Sequence, residues 1–550
     1  MTGRKFEDSH PVDFVIVGSG ASGGVLAREL SQSGFDVVVL EQGPRLSAAD
    51  FKHDELDYWY ANGLINDPVK NPQTFRKDPA AKAERVVDVP SLMYARMVGG
   101  SSVHFTANYW RFHEIDFHER SVLGEISGTG FADWPIDYAE LEPYYTKVEW
   151  EVGVSGLAGA SPFDPPRSKP YPMPPLPVKS SGVLLERGAR KLGLHPFPAP
   201  MAIASQPFRG RPGCAHCGFC QGFGCEVMAK SSSLVTMIPE AEATGRCEVR
   251  AQSYVFEVRT GKHGRATGVA YFDRDKREHF QKARAVILAA NGAETARLLL
   301  NSANARFSDG LGNSSGLVGK YLMFNCGGDV GAVFEHELNE YKSVQVTRLV
   351  HDFYESDPKR GFYGGGGIDG RLGPAPAGWA LSSTPPKPSW GAGFKASLRD
   401  FPKSMIAECH TTSLAVESNS VSIDPQLKDA WGVPAMRATY RDHPDDLATA
   451  KFLQGHAQQI LDAAGAKKSW ILPTVDNTVG VHLLGTCRMG NDPKSSVVDR
   501  YHRSHDVANL FLCDGSSFVT SGRGQPTMTI QALAFRAADH IARFARNNEI

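Results

Sequence analysis

The chain has 550 residues, of which 41% are hydrophobic and 22% are charged, the balance of a globular protein. This length exceeds what one hydrophobic core usually holds, so two domains are expected. Its 59 lysines and arginines against 60 aspartates and glutamates give a formal net charge of −1. Such a balance provides no overall field to attract nucleic acid or an anionic membrane, and we expect neither as a partner.

The first residues are predicted to form neither an export signal nor a membrane anchor. The apolar run Val12 to Val17 is too short for the core of a signal peptide. Elsewhere the sequence does not approach the roughly 20 apolar residues that cross a bilayer. We therefore expect no direct membrane insertion. Export to the periplasm would depend on a partner, and a protein acting alone would stay in the cytoplasm.

A strand, a glycine-rich turn, a helix and a second strand are predicted in VDFVIVGSGASGGVLARELSQSGFDVVVLEQG. Gly18, Gly20 and Gly23 form G-x-G-x-x-G between the first strand and the helix. The glycines permit a tight turn, close approach to a pyrophosphate and close helix packing. Glu41 ends the second strand, where it can accept hydrogen bonds from ribose hydroxyls. This arrangement predicts a dinucleotide site.

Two later segments resemble parts of the same layer. ARAVILAANGAETARLLLNS predicts a strand at 286–290, a turn at Asn291 and Gly292, and a helix. Near the C-terminus, NLFLCDG predicts a strand at 510–513 and TIQALAFRAADHIARFAR predicts a final helix. Because these pieces lie far apart in sequence, a discontinuous α/β nucleotide-binding domain is expected.

The chain is divided by composition into three parts. Residues 1–326 are assigned to the nucleotide-binding domain, including a proline-rich excursion at 155–213 that is predicted to be irregular. Residues 327–480 contain alternating apolar runs and glycine-rich turns, which predict an α+β substrate domain on an antiparallel sheet. Residues 481–550 return to the first domain.

Four of the nine cysteines crowd into residues 214–225 with the spacing C-x2-C-x2-C-x4-C. Thiolates this close together can converge on one metal centre, whereas scattered cysteines would favour disulfides. Three of them suffice for a three-iron cluster and four for a four-iron cluster, and a structural zinc site is the alternative. The predicted ligands are Cys214, Cys217, Cys220 and Cys225.

Three further stretches, with the dinucleotide motif, carry a family resemblance. They are ARMVGGSSVHFTANYWRF, DWPIDYAELEPYYTKVEWEVGVSG and the C-terminal HLLGTCRMG … NLFLCDGSSFVTSGRGQPTMTIQALAFRAADHI. In this order the sequence resembles the glucose–methanol–choline (GMC) oxidoreductases. The resemblance implies a Rossmann-like FAD-binding domain in which segment 90–112 covers the flavin. The cofactor contacts that it implies are Gly99, Gly100, Ser101, Ser102, His104, Asn108, Asp514 and Thr527.

His104 has two readings under this resemblance. In some family members the matching histidine is covalently bonded to the flavin, and in others it packs against FAD without a bond. The sequence leaves both open.

The resemblance also implies a catalytic pair. His482 matches the family's base, and imidazole suits this role because it is mostly neutral at pH 7 and can accept a proton. The family places a histidine or asparagine just before a proline as the second member of the pair. Here Gln525 precedes Pro526, one methylene longer than asparagine, and neighbouring Arg523 is the alternative.

A cysteine segment of this kind resembles the electron-transferring branch of the family, which includes glucoside 3-dehydrogenases and gluconate dehydrogenase flavoproteins. The resemblance implies that the protein oxidises a secondary hydroxyl of a sugar or glycoside, at C3 or C2. Electrons would pass through an iron–sulfur cluster to a cytochrome or quinone. Implied partners are a small signal-bearing subunit and a cytochrome c.

Two alternatives remain. One is an oxygen-using oxidase with a structural zinc site. The other is a non-catalytic flavoprotein that serves as an electron-transfer subunit.

Overall fold

The protein is described by a computed structural model that covers residues 4–56, 67–87, 89–325, 327–372 and 376–550. Across these ranges the strands form three sheets. The strands are β1 (Val12–Val17), β2 (Val37–Leu40), β3 (Gln73–Arg76), β4 (Glu84–Arg85), β5 (Phe197–Pro198), β6 (Cys247–Arg250), β7 (Tyr254–Thr260), β8 (Ala266–Phe272), β9 (Glu278–Leu288), β10 (Gly327–Val333), β11 (Arg348–Val350), β12 (Gly366–Arg371), β13 (Ser404–Thr411), β14 (Ser420–Lys428), β15 (Pro434–Thr439), β16 (Lys468–Ile471) and β17 (Leu510–Leu512).

Helices cover the faces of these sheets. The α-helices are α1 (Ala21–Gln32), α2 (Glu119–Leu123), α3 (Tyr138–Val148), α4 (Ser180–Lys191), α5 (Met237–Ala243), α6 (Glu294–Asn301), α7 (Pro376–Gly378), α8 (Gly391–Arg399), α9 (Pro444–Ala463) and α10 (Thr527–Arg546). No helix of the described residues is both long enough and apolar enough to cross a bilayer.

The first sheet is the nucleotide-binding layer. Strands β6, β2, β1, β9 and β17 run parallel, and β17 pairs with the end of β9, where Leu510 lies opposite Val286. The first half of β9 pairs antiparallel with β8, which pairs with β7. Almost every residue of β1 and β2 is buried, as expected for parallel strands covered on both faces. Helix α1 packs against α10 and α5.

The second sheet is antiparallel, in the order β16, β10, β13, β12, β11, β5. Leucines of α4 and α9, including Leu185 and Leu453, pack on it against Val330 and Ala407. The predicted fold class, a Rossmann-like domain with an antiparallel substrate domain, is therefore confirmed.

The structure also places two segments that the sequence interpretation assigned differently. Helix α4 and strand β5 lie in the proline-rich stretch 155–213, yet both belong to the layer of the second sheet. The flanking prolines suggested irregular structure, whereas SSGVLLERGARK between them buries its leucines against the sheet. A third sheet, β14, β15, β3 and β4, joins residues 420–439 to strands near the N-terminus.

Replacing Leu453 with alanine is expected to destabilise the protein by about 2–5 kcal/mol, because the truncation leaves a cavity between α9 and the second sheet. Denaturant unfolding of the holoprotein measures this change. Lys451→Ala, at an exposed position on the same helix, is the control and is expected to shift stability by no more than about 0.5 kcal/mol. Equal effects of the two substitutions would contradict the packing described for α9.

Candidate active site

A cavity of about 350 Å³ lies at the carboxyl ends of β1, β2 and β9. It collects residues from the N-terminal turn, the segment 90–112 and the C-terminal return. The residues predicted from the sequence that line it are Gly18, Gly20, Glu41, Gly100, Ser101, Ser102, His104, His482, Asp514, Gln525 and Thr527. Gly23, Gly99 and Asn108 are predicted contacts that lie outside the lining.

The glycine-rich turn is packed too closely for side chains. Gly18 has φ of +95°, and a Cβ there would lie 2.5 Å from the carbonyl oxygen of Ala289. A Cβ on Gly23 would lie 2.0 Å from the carbonyl oxygen of Gly18, so this glycine lets α1 contact β1. Helix α1 begins at Ala21, and its N-cap residue, Gly20, has no side chain that could accept a hydrogen bond from the first turn. Its first backbone N–H groups are therefore left for an anionic ligand such as a pyrophosphate.

Glu41 connects this turn to the segment 90–112. Its carboxylate accepts hydrogen bonds from the Ser19 hydroxyl at 2.7 Å, the Ser19 N–H at 3.1 Å and the Gly43 N–H at 3.0 Å. The Ser19 oxygen in turn accepts from the Gly99 N–H at 3.1 Å. Burial raises the pKa of Glu41, and the hydrogen bonds oppose this shift. Because Glu41 also borders the cavity, it can receive a ribose hydroxyl.

The segment 90–112 is held by its serines. Gly99 adopts φ of +97° before a short 3₁₀ turn at Gly100–Val103. Ser102 donates to the carbonyl of Gly99 at 2.7 Å, and Ser101 accepts from the Ala95 N–H at 3.0 Å. This turn brings His104 to the cavity wall. Gly99 therefore shapes the loop.

Asn108 lies just beyond this turn. It is buried, and its amide atoms have no hydrogen-bond partner among the described residues. Its contact with the flavin stays a prediction.

Asp514 is a second acidic residue in the cavity wall, and its hydrogen bonds hold that part of the wall together. Its carboxylate accepts from the Thr295 hydroxyl at 2.6 Å, the Asn291 N–H at 3.1 Å and the Ser516 N–H at 2.8 Å. These bonds join β17 to the start of α6. Helix α10 begins at Thr527 with its N-terminus on the cavity, where the helix dipole favours negative charge.

His482 and Gln525 border the same cavity. Burial lowers the pKa of His482 to about 4. The imidazole is therefore neutral at pH 7 and able to accept a proton. The amide nitrogen of Gln525 lies 3.2 Å from Nδ1 of His410. The structure thus places together the two residues of the predicted catalytic pair.

Arg523 has a different role from the substrate contact considered as an alternative. Its guanidinium is buried and forms ion pairs with Asp116 and Glu119. Its Nε donates to the Tyr354 carbonyl at 2.6 Å. With all these bonds, Arg523 anchors the loop that carries Gln525.

The sequence interpretation did not find His410 or its partner Asp369. Both lie inside strands of the second sheet, 41 residues apart, and Nε2 of His410 lies 2.5 Å from the Asp369 carboxylate. Neither belongs to a motif, and only the pairing of β12 with β13 brings them together.

The cysteine segment lies against the loop that carries His104. The Gly222 N–H donates to the His104 carbonyl at 2.9 Å. The buried ammonium of Lys230 donates to the carbonyls of Phe105 at 2.9 Å and Cys220 at 2.8 Å.

Burial raises the pKa of three of these thiols, those of Cys214, Cys217 and Cys220. Burial raises the pKa of Cys220 to about 12 and that of Cys214 to about 11, and neighbouring cysteines add to both shifts. In the part of the chain that the structure describes, no group of three or more His, Cys, Asp or Glu side chains is arranged to hold a metal ion. The donors are of the right kind, but the thiols are not preorganised around a metal.

These features define a class of protein. The parallel sheet carries the features of a dinucleotide site. Its glycine turn and uncapped helix N-terminus fit a pyrophosphate, and the acid after β2 fits a ribose. A neutral histidine beside this cradle supplies a proton acceptor for the oxidation of an alcohol. Fold and cavity together are those of a nucleotide-dependent oxidoreductase.

The chain belongs to the GMC oxidoreductase family. Models of this family match residues 12–324 and residues 415–534. Three relatives match nearly the whole chain. A 2-methyl-1,2-propanediol dehydrogenase of Mycolicibacterium austroafricanum is 35% identical, over 96% of this chain and 95% of the relative. A gluconate 2-dehydrogenase flavoprotein of Pantoea cypripedii is 29% identical over 96% and 93%, and a fructose dehydrogenase large subunit of Gluconobacter japonicus is 29% identical over 96% and 97%.

Solved structures agree on the fold. A formate oxidase variant from Aspergillus oryzae superposes with a TM-score of 0.67 at 14% identity, over 99% of this chain and 100% of the other. A pyridoxine 4-oxidase from Mesorbium loti gives 0.60 at 16% identity, over 96% and 98%. The predicted family is confirmed, and with it an FAD-dependent oxidoreductase that acts on CH–OH groups.

Replacing Gly23 with alanine is expected to reduce the FAD content of the purified protein, because the new Cβ displaces α1 from the Gly18 carbonyl and disturbs the pyrophosphate cradle. The ratio of flavin absorbance to protein measures this change. Gly455→Ala is the control, since a Cβ there meets no atom within 4 Å. Full FAD occupancy in Gly23→Ala would show that the close packing at this turn is not needed for the cofactor.

Proposed function

We propose that the protein is a dehydrogenase that oxidises a secondary hydroxyl of a sugar or glycoside, at C3 or C2, to a ketone. The observation that carries this proposal is the presence of His482 and Gln525 on the wall of the cavity that contains the FAD cradle. The names of two relatives, a gluconate 2-dehydrogenase flavoprotein and a fructose dehydrogenase large subunit, support a sugar-type substrate.

Different residues of this chain take up the proton, bind the substrate and position the binding loop. His482, neutral in its buried setting, accepts the hydroxyl proton of the substrate. Gln525 holds the substrate through its amide, and Arg523 keeps the Gln525 loop in place. FAD in the cradle supplies the acceptor for the hydride that leaves the carbinol carbon.

A small diol is the second candidate substrate. The relative with 35% identity is named for 2-methyl-1,2-propanediol. Such a diol shares with sugars a hydroxyl beside the one that is oxidised. The anaerobic flavin spectrum separates the two candidates when methyl glucoside, gluconate, fructose and 2-methyl-1,2-propanediol are added in turn. Bleaching by a sugar supports the proposal, bleaching by the diol alone supports the second candidate, and bleaching by neither contradicts both.

Replacing His482 with alanine is expected to slow flavin reduction by the best of these substrates by about 10²- to 10⁴-fold, because the proton acceptor is lost. FAD should stay bound, since the cradle lies at the other end of the cavity. Stopped-flow reduction measures the rate. His505→Ala, a part-buried histidine bonded to Ser496 outside the cavity lining, is the control and should keep the wild-type rate.

An unchanged rate in His482→Ala would contradict the catalytic assignment and favour a non-catalytic flavoprotein. The pH profile gives a second check. With a pKa of about 4, the acceptor form of His482 is lost only as the pH falls toward that value. The wild-type rate should therefore stay level well below the ordinary histidine pKa of about 6.5.

We further propose that the segment 214–225 binds an iron–sulfur cluster of three or four irons, through which electrons leave to a cytochrome or quinone. Support comes from four thiols in twelve residues, their position against the His104 loop and the buried cation Lys230 beside them. Cluster binding requires the loop to close around the irons, because the thiols are not preorganised.

Replacing Cys220 with serine is expected to lower the iron and acid-labile sulfide content of protein purified without oxygen, because a thiolate ligand is lost. Elemental analysis and electron paramagnetic resonance measure this change. Cys247→Ser, in β6 and outside the cysteine segment, is the control and should leave the iron content unchanged. Stoichiometric zinc in the wild-type protein would favour the structural-zinc alternative, and rapid peroxide formation would favour an oxidase.

An electron-transferring role also implies partners. We propose a small signal-bearing subunit that carries the flavoprotein to the periplasm, and a cytochrome c as acceptor. The words "flavoprotein" and "large subunit" in the names of two relatives support an assembly of this kind. Reduction of cytochrome c by the wild-type protein at a rate well above oxygen consumption is the expected result.

A further inference from the structure

His410 and Asp369, two buried residues of the second sheet, lie next to Gln525. His410 lies on β13, is 5% exposed and does not line the cavity that Gln525 borders. Its Nδ1 lies 3.2 Å from the Gln525 amide nitrogen, and its Nε2 lies 2.5 Å from the carboxylate of Asp369 on β12. The three side chains form a line from the sheet to the cavity wall.

The carboxylate decides which ring nitrogen carries the proton. Asp369 is further paired with Arg371, whose Nε donates to it at 2.7 Å, and the charged guanidinium holds the pKa of Asp369 down, to about 2. An ionised carboxylate can only accept, so Nε2 of His410 must donate to it. The amide nitrogen of Gln525 can only donate, so Nδ1, which lies 3.2 Å from it, is the acceptor of this hydrogen bond.

The neighbours of His410 leave little freedom for another arrangement. A Cβ on Gly524 would lie 2.8 Å from the His410 Cβ, so the loop carrying Gln525 rests directly on this histidine. The ring of Trp110 packs at its edge with 5.4 Å between centroids. Glu408 lies 3.6 Å from Nδ1, beyond hydrogen-bond distance. The amide of Gln525 is therefore the hydrogen-bonding neighbour of Nδ1.

This geometry fixes which face of the amide meets the substrate. Because the nitrogen of Gln525 is turned to His410, its Oε1 is turned away from this histidine. Gln525 itself borders the cavity, so we take Oε1 as the atom that the substrate meets. An amide oxygen only accepts hydrogen bonds. The hydroxyl proton that is removed goes to His482, so the oxygen of Gln525 requires a different donor.

We propose that His410 and Asp369 are positioning residues that hold Gln525 as an acceptor for a second hydroxyl of the substrate, next to the one that is oxidised. The inference rests on the proposed function and narrows it to vicinal diols, whether in a small diol or in a sugar ring. A substrate without the second hydroxyl forgoes the hydrogen bond to Oε1 of Gln525, and this costs affinity.

A matched pair of alcohols tests the proposal. 2-Methyl-1,2-propanediol and 2-methyl-1-propanol differ by one hydroxyl, as do methyl glucoside and its 2-deoxy and 3-deoxy analogues. In the wild-type protein the diol member should reduce the flavin about 10- to 100-fold more efficiently than its partner. His410→Phe and Gln525→Leu should each reduce this preference to a few-fold. FAD content and unfolding midpoint of each variant are measured alongside.

The double variant separates positioning from a structural role. If His410 acts through Gln525, removing it has no further effect once Gln525 is lost. The double variant His410→Phe/Gln525→Leu should then show the same preference for the diol over the mono-alcohol as Gln525→Leu alone. Additive losses of efficiency in the double variant would show that His410 acts independently and would overturn the proposal. Equal use of diol and mono-alcohol by the wild-type protein would also overturn it.

A second measurement does not depend on finding a substrate. Nitrogen resonances of ¹⁵N-histidine-labelled holoprotein, compared with those of His410→Phe, identify the ring of His410. A protonated Nε2 with a bare Nδ1 supports the proposal. A ring protonated on Nδ1 would turn the amide oxygen of Gln525 away from the cavity and overturn it. If no alcohol reduces the wild-type flavin, the proposed function fails while this measurement still decides the orientation of Gln525.

Discussion

The guanidinium of Arg523 is the buried charge on which the catalytic side of the molecule depends. It is 1% exposed and pairs with Asp116 and Glu119, and its Nε donates to the Tyr354 carbonyl. Moving these charges out of water is costly, and the cost is offset only while every partner is in place. The pairs join the segment after 90–112, the second sheet's connections and the C-terminal return. The loop that carries Gln525 therefore has one position.

The cofactor side follows a different principle, that of close backbone approach. Gly18 and Gly23 bring β1, α1 and the end of β9 within contact, and the hydroxyl of Ser19 links Glu41 to Gly99. Neutral and charged hydrogen bonds thus join the nucleotide turn to the flavin-covering segment. Buried polar bonds thus hold both the cofactor side and the catalytic side of the cavity. A substrate between them meets groups whose orientation is already set. This lowers the free-energy cost of ordering those groups during the reaction.

The sequence predicted the parts of this site that local chemistry specifies. The glycine turn, Glu41 and the strand–turn–helix order depend on neighbours in the chain, and the family motifs at His482 and Gln525 gave residues that the structure brings to one cavity. His410 and the role of Arg523 could not be predicted, because they depend on contacts between strands and loops far apart in sequence. Helix α4 was missed for the same reason: its leucines face a sheet formed mostly by later residues.

The buried ammonium of Lys230 links the two halves of the proposed chemistry. It donates to the carbonyls of Phe105 beside the flavin loop and of Cys220 and Phe223 in the cysteine segment. A buried cation held by carbonyl dipoles is poorly compensated, and burial lowers its pKa to about 8. Thiolates bound to a cluster in this segment would bring negative charge next to it. The same cation would then stabilise the thiolates of a cluster, and its bond to the Phe105 carbonyl would connect the cysteine segment to the His104 loop.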